Sequence, residues 1–204
     1  MFSPLTQQLI KALCCLPGIG PKSAQRMAFH LLSTDKRPKG QHLATSLNQA
    51  LDKVGRCDRC QTYTEQPLCS VCNNPKRNKS QLCIVESPAD IIAIEQTHNY
   101  QGCYFVLHGH LSPLDGIGPD DIGIPTLTAL VETEIMSEII IATNPTMEGK
   151  ATAHYIANSI KNKSIKISRI AFGVPLGGEI EYLDGNTLAH AFQSRLPFTE
   201  KQLT

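Results

Sequence analysis

The sequence has no long apolar run, no export signal and almost no net charge. No stretch approaches the roughly eighteen apolar residues that a membrane helix needs, so no membrane-spanning helix is expected. The amino terminus has no basic flank leading into an apolar segment, so no secretory signal is evident. At 41% apolar and 18% charged residues, the composition excludes wholesale disorder. We therefore expect a cytoplasmic location, where the eight cysteines are better suited to metal binding than to disulfides.

The net charge of +1 conceals two parts of opposite sign. Residues 1–80 carry twelve basic and four acidic side chains, a net charge of +8, whereas residues 81–204 carry seven basic and fourteen acidic ones, a net charge of −7. A basic region is typical of phosphate binding, and an acidic region is poorly suited to contact DNA. The split predicts that the first part contacts nucleic acid; chance clustering on a solvated surface is the alternative.

The apolar pattern changes near residue 80. Before it, apolar residues at helical spacing predict helices that begin at Pro4 and that cover residues 21–32 and 41–54. After it, short apolar runs alternate with helical stretches, which predicts a parallel sheet covered by helices. A further strand over residues 179–183 and a helix over 186–195 are predicted near the end of the chain.

Four cysteines are spaced as two Cys-x-x-Cys pairs, with eight residues between the pairs: Cys57, Cys60, Cys69 and Cys72. Each pair can direct two sulfurs at one centre, and two pairs complete a tetrahedral thiolate site. Soft sulfur ligands favour Zn²⁺, and four of them leave no position for a catalytic water. The spacing predicts one structural zinc ion; buried cysteines, a redox pair and an iron–sulfur cluster are the alternatives.

A turn rich in proline and glycine, residues 16–24, joins the first two predicted helices. Gly18 and Gly20 allow a sharp turn and a close approach to a ligand. The amides that open the second helix would face a phosphate, with Lys22 and Arg26 adding positive charge. The segment resembles the helix-hairpin-helix element, which grips DNA phosphates without reading sequence. An ordinary turn between helices is the alternative, and the basic surroundings favour phosphate contact.

Three carboxylates fall near the carboxyl ends of predicted strands or in the helices that follow, where α/β sheets usually place their sites: Glu86, Asp90 and Glu148. The order of elements resembles the Toprim domain of topoisomerases, primases and related nucleases, in which a glutamate and an Asp-x-Asp pair hold Mg²⁺. Here that pair is replaced by Asn144-Pro145-Thr146, so the charge that would bind Mg²⁺ tightly is missing. We expect a docking surface for a basic partner. A residual Mg²⁺ site and carboxylates that only cap helices or face solvent are the alternatives.

Further segments extend the resemblance over the whole chain. They are residues 16–26, 108–109, 112–114, 116–119, 144–146, 148–149 and 173–178, together with the four cysteines. This combination resembles the RecR family of recombination mediators, from which Lys150 departs because an acidic residue is expected there. The resemblance implies a non-enzymatic DNA-repair protein that assembles as a dimer or tetrameric ring around DNA. It also implies work with RecO and RecF to load RecA onto single strands coated with single-strand-binding protein.

The expected fold is a multi-module α+β chain. Its four parts are a helix-hairpin-helix DNA-binding and oligomerisation region at 1–55, a four-cysteine zinc element at 56–80, a Toprim-like parallel sheet at 81–173 and a glycine-rich C-terminal strand and helix at 174–204. Two other functions remain open. One is an active Toprim nuclease or topoisomerase, although no tyrosine is marked as a nucleophile. The other is a zinc-element transcription factor, which would need side chains that read bases in a groove.

Overall fold

The computed structural model describes residues 2–160, 164–175 and 177–195. The chain forms two compact units, Met1–Val54 and Gly55–Thr204. In the part of the chain that the structure describes, no helix is long and apolar enough to cross a membrane.

The first unit consists of three helices, α1 (Pro4–Leu13), α2 (Pro21–Leu32) and α3 (Arg37–Lys53). Each has a proline in its first turn, where the missing N–H has no partner to lose. Ala24 and Ala28 of α2 are fully buried. Helix α3 begins four residues before the predicted start because Pro38 initiates it ahead of Gly40. A side chain at Gly40 would lie 3.3 Å from the Leu31 carbonyl oxygen, so the glycine allows α3 to approach α2 closely.

One face of α3 remains exposed. Leu43, Leu47 and Leu51 recur at helical spacing, and they are 52%, 56% and 74% exposed. Contiguous exposed apolar residues of this kind mark surfaces that contact another protein.

The second unit begins with a short antiparallel hairpin of β1 (Gly55–Arg56) and β2 (Tyr63–Thr64). A parallel sheet in the order β4-β3-β5-β6 follows, and it confirms the predicted α/β architecture. Its strands and the helices between and after them are β3 (Asn78–Val85), α4 (Pro88–Glu95), β4 (Gly102–Val106), α5 (Ile124–Thr133), β5 (Glu138–Ala142), α6 (Met147–Ser159), β6 (Lys166–Arg169) and α7 (Gly185–Gln193). The two faces of the sheet bury separate apolar clusters.

The C-terminal part differs from the prediction in one element. The predicted strand over 179–183 is wrong, because Ile180–Tyr182 form a 3-10 helix in which the Tyr182 N–H donates to the Glu179 carbonyl oxygen. Ile180 and Tyr182 are 64% and 78% exposed, so their alternation with glutamates does not mark a buried sheet face. The predicted C-terminal helix is confirmed as α7, where Asp184 caps the first turn. Residues 176 and 196–204 of this predicted region lie outside the described residues.

Candidate metal centre and nucleic-acid interface

The four spaced cysteines converge in the second unit. The sulfur atoms of Cys57, Cys60, Cys69 and Cys72 all lie within 4.8 Å of one another, and none of these residues is more than 6% exposed. The sulfurs of Cys60 and Cys69 are 3.5 Å apart. A zinc ion with four sulfurs at about 2.3 Å requires sulfur–sulfur distances of about 3.8 Å. The donor set and its spacing therefore fit a tetrahedral zinc site.

Backbone and side-chain donors surround these sulfurs. The Cys69 N–H donates to the Cys57 sulfur at 3.3 Å, and the Cys72 N–H donates to the Cys69 sulfur at 3.4 Å. Hydrogen bonds of this kind stabilise thiolates, the form that binds a metal. The hydrogen bond with Cys60 lowers the pKa of Cys72 against the opposing effect of burial, whereas desolvation raises the pKa of Cys69. Because the raised pKa of Cys69 favours its protonated thiol, binding a metal there must release a proton, and acid must weaken metal binding.

An arginine between the first two cysteines connects the cluster to the sheet domain. The Arg59 guanidinium forms a bidentate ion pair with Glu134, at 2.8 Å from Nε to Oε1 and 2.6 Å from Nη2 to Oε2. Its Nη1 lies 4.0 Å from the Cys72 sulfur. Glu134 directly follows α5, so the pair ties the cysteine loops to the core of the second unit. The hydrogen bond to Glu134 raises the pKa of Arg59, which keeps the guanidinium charged.

The predicted DNA-contacting residues lie together in the first unit. Gly18 has φ +77°, a left-handed conformation that favours glycine, and Gly20 is the N-cap of α2. No side chain caps the first turn of α2, so its amides are available to an anion. Lys22 and Arg26 are exposed one turn apart on α2, and neither has an ion pair within the described ranges. The turn and the start of α2 thus offer amides and two free cations to a phosphate.

The three predicted carboxylates have different surroundings. Glu86 is only 6% exposed, and its carboxylate accepts from the Asn144 backbone N–H at 2.8 Å and from the Asn144 side-chain amide at 2.5 Å. Asp90 accepts from the Ser87 N–H at 2.7 Å in the capping box of α4. Glu148 is exposed in the first turn of α6. Glu148 is therefore the carboxylate of the three that a partner reaches most readily.

Asn144 has a role that the sequence analysis missed. Its amide donates to the buried Glu86 carboxylate at the position where a Toprim enzyme has a metal-binding aspartate. A side chain at Gly149 would lie 2.2 Å from the Asn144 carbonyl oxygen, so the glycine lets α6 approach this contact. The departure from Asp-x-Asp was the available signal. It indicated a missing metal ligand, but not that the amide would bind the glutamate directly.

Comparisons with known proteins agree with this layout. Family models match at residues 6–51 (RecR, helix-hairpin-helix), 54–74 (RecR, zinc finger domain with four cysteines), 80–171 (Toprim domain) and 173–195 (RecR, C-terminal). The recombination protein RecR of Coxiella burnetii (strain RSA 493 / Nine Mile phase I) is 67% identical over 197 residues, which cover 97% of this chain and 98% of that protein.

These matches confirm the resemblance found in the sequence and the α+β layout of the modules. The family is one of non-catalytic recombination proteins, so the prediction that the chain is not an enzyme is also confirmed, although a Toprim domain is present. The chain belongs to the RecR family of recombination proteins.

Proposed function

We propose that this chain is a DNA-binding recombination mediator that holds DNA phosphates at the turn between α1 and α2. The observation that carries the proposal is the pair of exposed, unpaired cations Lys22 and Arg26 beside the uncapped amides of α2. Phosphates are the same in every DNA sequence, so these contacts position DNA without reading it. The net charge of +8 over residues 1–80 also supports contact between this part of the chain and DNA.

Binding and cleavage assays of the unsubstituted parent protein with DNA test this function. We expect binding to duplexes of unrelated sequence with similar affinity, a steep loss of affinity as salt rises, and recovery of supercoiled plasmid uncut in Mg²⁺ or Mn²⁺. Strong dependence on sequence would instead favour a zinc-element transcription factor. Nicked or relaxed plasmid would favour a Toprim enzyme.

One structural Zn²⁺ per chain is proposed at the four cysteines. Four thiolates would complete the tetrahedron and leave no position for water or substrate. The ion would therefore supply folding stability to the loops around β1 and β2, and this chain's residues would do no chemistry with it. The buried cluster of sulfurs and the N–H groups that donate to them support this assignment.

We propose the assembly and the cellular role that the resemblance to the RecR family implies. The protein would form a dimer or tetrameric ring in the cytoplasm and would act with RecO and RecF to help load RecA on single-stranded DNA. Each chain would have four parts, at residues 1–55, 56–80, 81–173 and 174–204. The exposed apolar face of α3 supports contact between copies. The solution mass with and without DNA tests this assembly. A monomer under both conditions would contradict it.

The acidic second unit is proposed to dock RecO, with Glu148 as the accessible carboxylate beside Glu86 and Asp90. Replacing Glu148 by lysine would place a positive charge against the basic surface expected of the partner. We expect the complex with purified RecO to weaken by about 2 kcal/mol, roughly 30-fold in Kd. Titration calorimetry at low salt measures this change. Glu132→Lys, an equal change of charge at an exposed position of α5, is the control. Equal affinity of both variants for RecO would place the docking surface elsewhere.

A further inference from the structure

The β1–β2 hairpin presents an exposed aromatic ring beside a cation. Tyr63 is 59% exposed, in a chain with only 5% aromatic residues. Its partner across the hairpin is Arg56, and directly opposite residues of an antiparallel pair place their side chains on the same face. Arg56 is exposed and has no ion pair with any described residue. One face of the hairpin thus carries a phenol and a free guanidinium next to each other.

A second ring holds this tyrosine in place. The centroids of the Tyr63 and His108 rings are 5.1 Å apart, and the ring planes are inclined at 56°. His108 follows the end of β4, so this contact joins the hairpin to the sheet. The tilted arrangement and the exposure of Tyr63 show that the histidine leaves much of the phenol surface open to solvent.

The backbone around this contact is strained. His108 has φ 59° and Gln61 has φ 63°, left-handed conformations that are uncommon outside glycine. The two residues meet, because His108 Nε2 donates to the Gln61 carbonyl oxygen at 2.6 Å. Strain of this kind persists only where the surroundings enforce it, and it clusters at ligand sites. The strained pair keeps the imidazole against Tyr63, so that the exposed ring is held in a fixed position before any ligand arrives.

We propose that Tyr63, flanked by His108 and Arg56, is a stacking site for an unpaired nucleobase of single-stranded DNA. This inference rests on the proposed DNA-binding function and adds a contact specific for single strands. Every base has a face that stacks on an aromatic ring, and that face is accessible only when the base is unpaired. The Arg56 guanidinium would bind the adjoining phosphate. Asp58 and Glu65 are also exposed nearby in the chain, and their negative charges offset the positive charge of Arg56. The aromatic ring, rather than the local charge, therefore supplies the preference for single strands.

The absence of tryptophan from the chain provides a direct reporter. Tyr63→Trp introduces a single indole, and a base that stacks on it quenches its fluorescence. We expect oligo(dT) to quench this signal in a saturable manner, and a duplex at equal phosphate concentration to leave it nearly unchanged. Tyr182→Trp, at a tyrosine that is 78% exposed elsewhere in the second unit, is the matched control and should not be quenched.

Affinity measurements provide the second test. Tyr63→Ala is expected to weaken oligo(dT) binding about 5- to 150-fold while duplex affinity stays nearly unchanged, and Tyr63→Phe is expected to bind as the parent does. Zinc content and thermal unfolding of each variant show whether it has folded. An equal loss on both DNA forms, or equal quenching at both reporter positions, would overturn the stacking site. If the parent protein binds neither oligo(dT) nor duplex DNA, the proposed DNA-binding function itself is refuted.

Discussion

Replacement of Cys60 by serine is expected to remove the metal and unfold the loops around β1 and β2. These strands have only two residues each, and the interior of the element consists of the four cysteines with Val71 packed against them. Metal binding supplies about 10–16 kcal/mol of folding free energy in small zinc-finger peptides, so the element has little else to hold it. A buried serine would also leave three ligands and an unpaired hydroxyl. We expect the zinc content to fall from one per chain to near zero, and the melting temperature to fall with it.

Elemental analysis and thermal unfolding check this expectation. Cys14→Ser is the control, because Cys14 is half-buried in the first unit, outside the cluster, and should keep one zinc per chain. Prolonged chelation of the parent protein should reproduce the effect of Cys60→Ser. Full zinc content and an unchanged melting temperature in Cys60→Ser would show that the ligands are different residues.

Replacement of Asn144 by aspartate is expected to destabilise the second unit and to make its stability depend on Mg²⁺. The Asn144 side chain donates to a Glu86 carboxylate that is only 6% exposed, and aspartate has no donor to replace it. Two carboxylates within hydrogen-bonding distance, one of them buried, repel each other strongly unless a cation or a shared proton lies between them. We expect a loss of about 2–4 kcal/mol in the free energy of unfolding near neutral pH, which added Mg²⁺ partly restores.

Denaturant unfolding with and without millimolar Mg²⁺ measures both effects. Asn144→Ala loses the same hydrogen bond without adding a charge, so its lower stability should not respond to Mg²⁺. The parent should not respond either, because the neutral Asn144 amide donates to Glu86 where the variant has a second carboxylate. If Asn144→Asp is as stable as the parent and insensitive to Mg²⁺, the contact between Asn144 and Glu86 contributes nothing to the fold.

Features encoded by local spacing could be predicted from the sequence. The two Cys-x-x-Cys pairs identify a metal cluster because each pair lies within one loop, and the four sulfurs do converge. The parallel sheet could be predicted because β4 is buried along its whole length and β3 along its second half, and both appear as continuous apolar runs. Residues 179–183 have the apolar and polar alternation of a half-buried strand. Among the described residues, however, no strand pairs with this segment, and Ile180 and Tyr182 are exposed.

Features that depend on distant partners could not be predicted. Glu86 was assigned to a surface because the sequence shows only that it lies at the end of a strand. Its buried carboxylate accepts from the side-chain amide of Asn144, which lies 58 residues away in the chain. The contact of Tyr63 with His108 likewise joins separate segments, and the left-handed backbone of Gln61 and His108 carries no residue signature such as glycine. Long-range contacts of these side chains, rather than the elements that carry them, were the missing information.

The phosphate contacts of the turn between α1 and α2 are tested most directly by the salt dependence of DNA affinity in the double variant Lys22→Glu with Arg26→Glu. Each lost phosphate contact reduces the slope of log affinity against log salt by about 0.9 on duplex DNA and about 0.7 on single strands. Loss of both should therefore lower the duplex slope by about 1.8, equally for all sequences, with zinc content unchanged. The control is Lys39→Glu with Lys53→Glu, the same change of charge on α3, which should retain the parent's slope. A variant at Lys22 and Arg26 that binds DNA with the parent's affinity and slope would contradict the assignment of DNA binding to this turn.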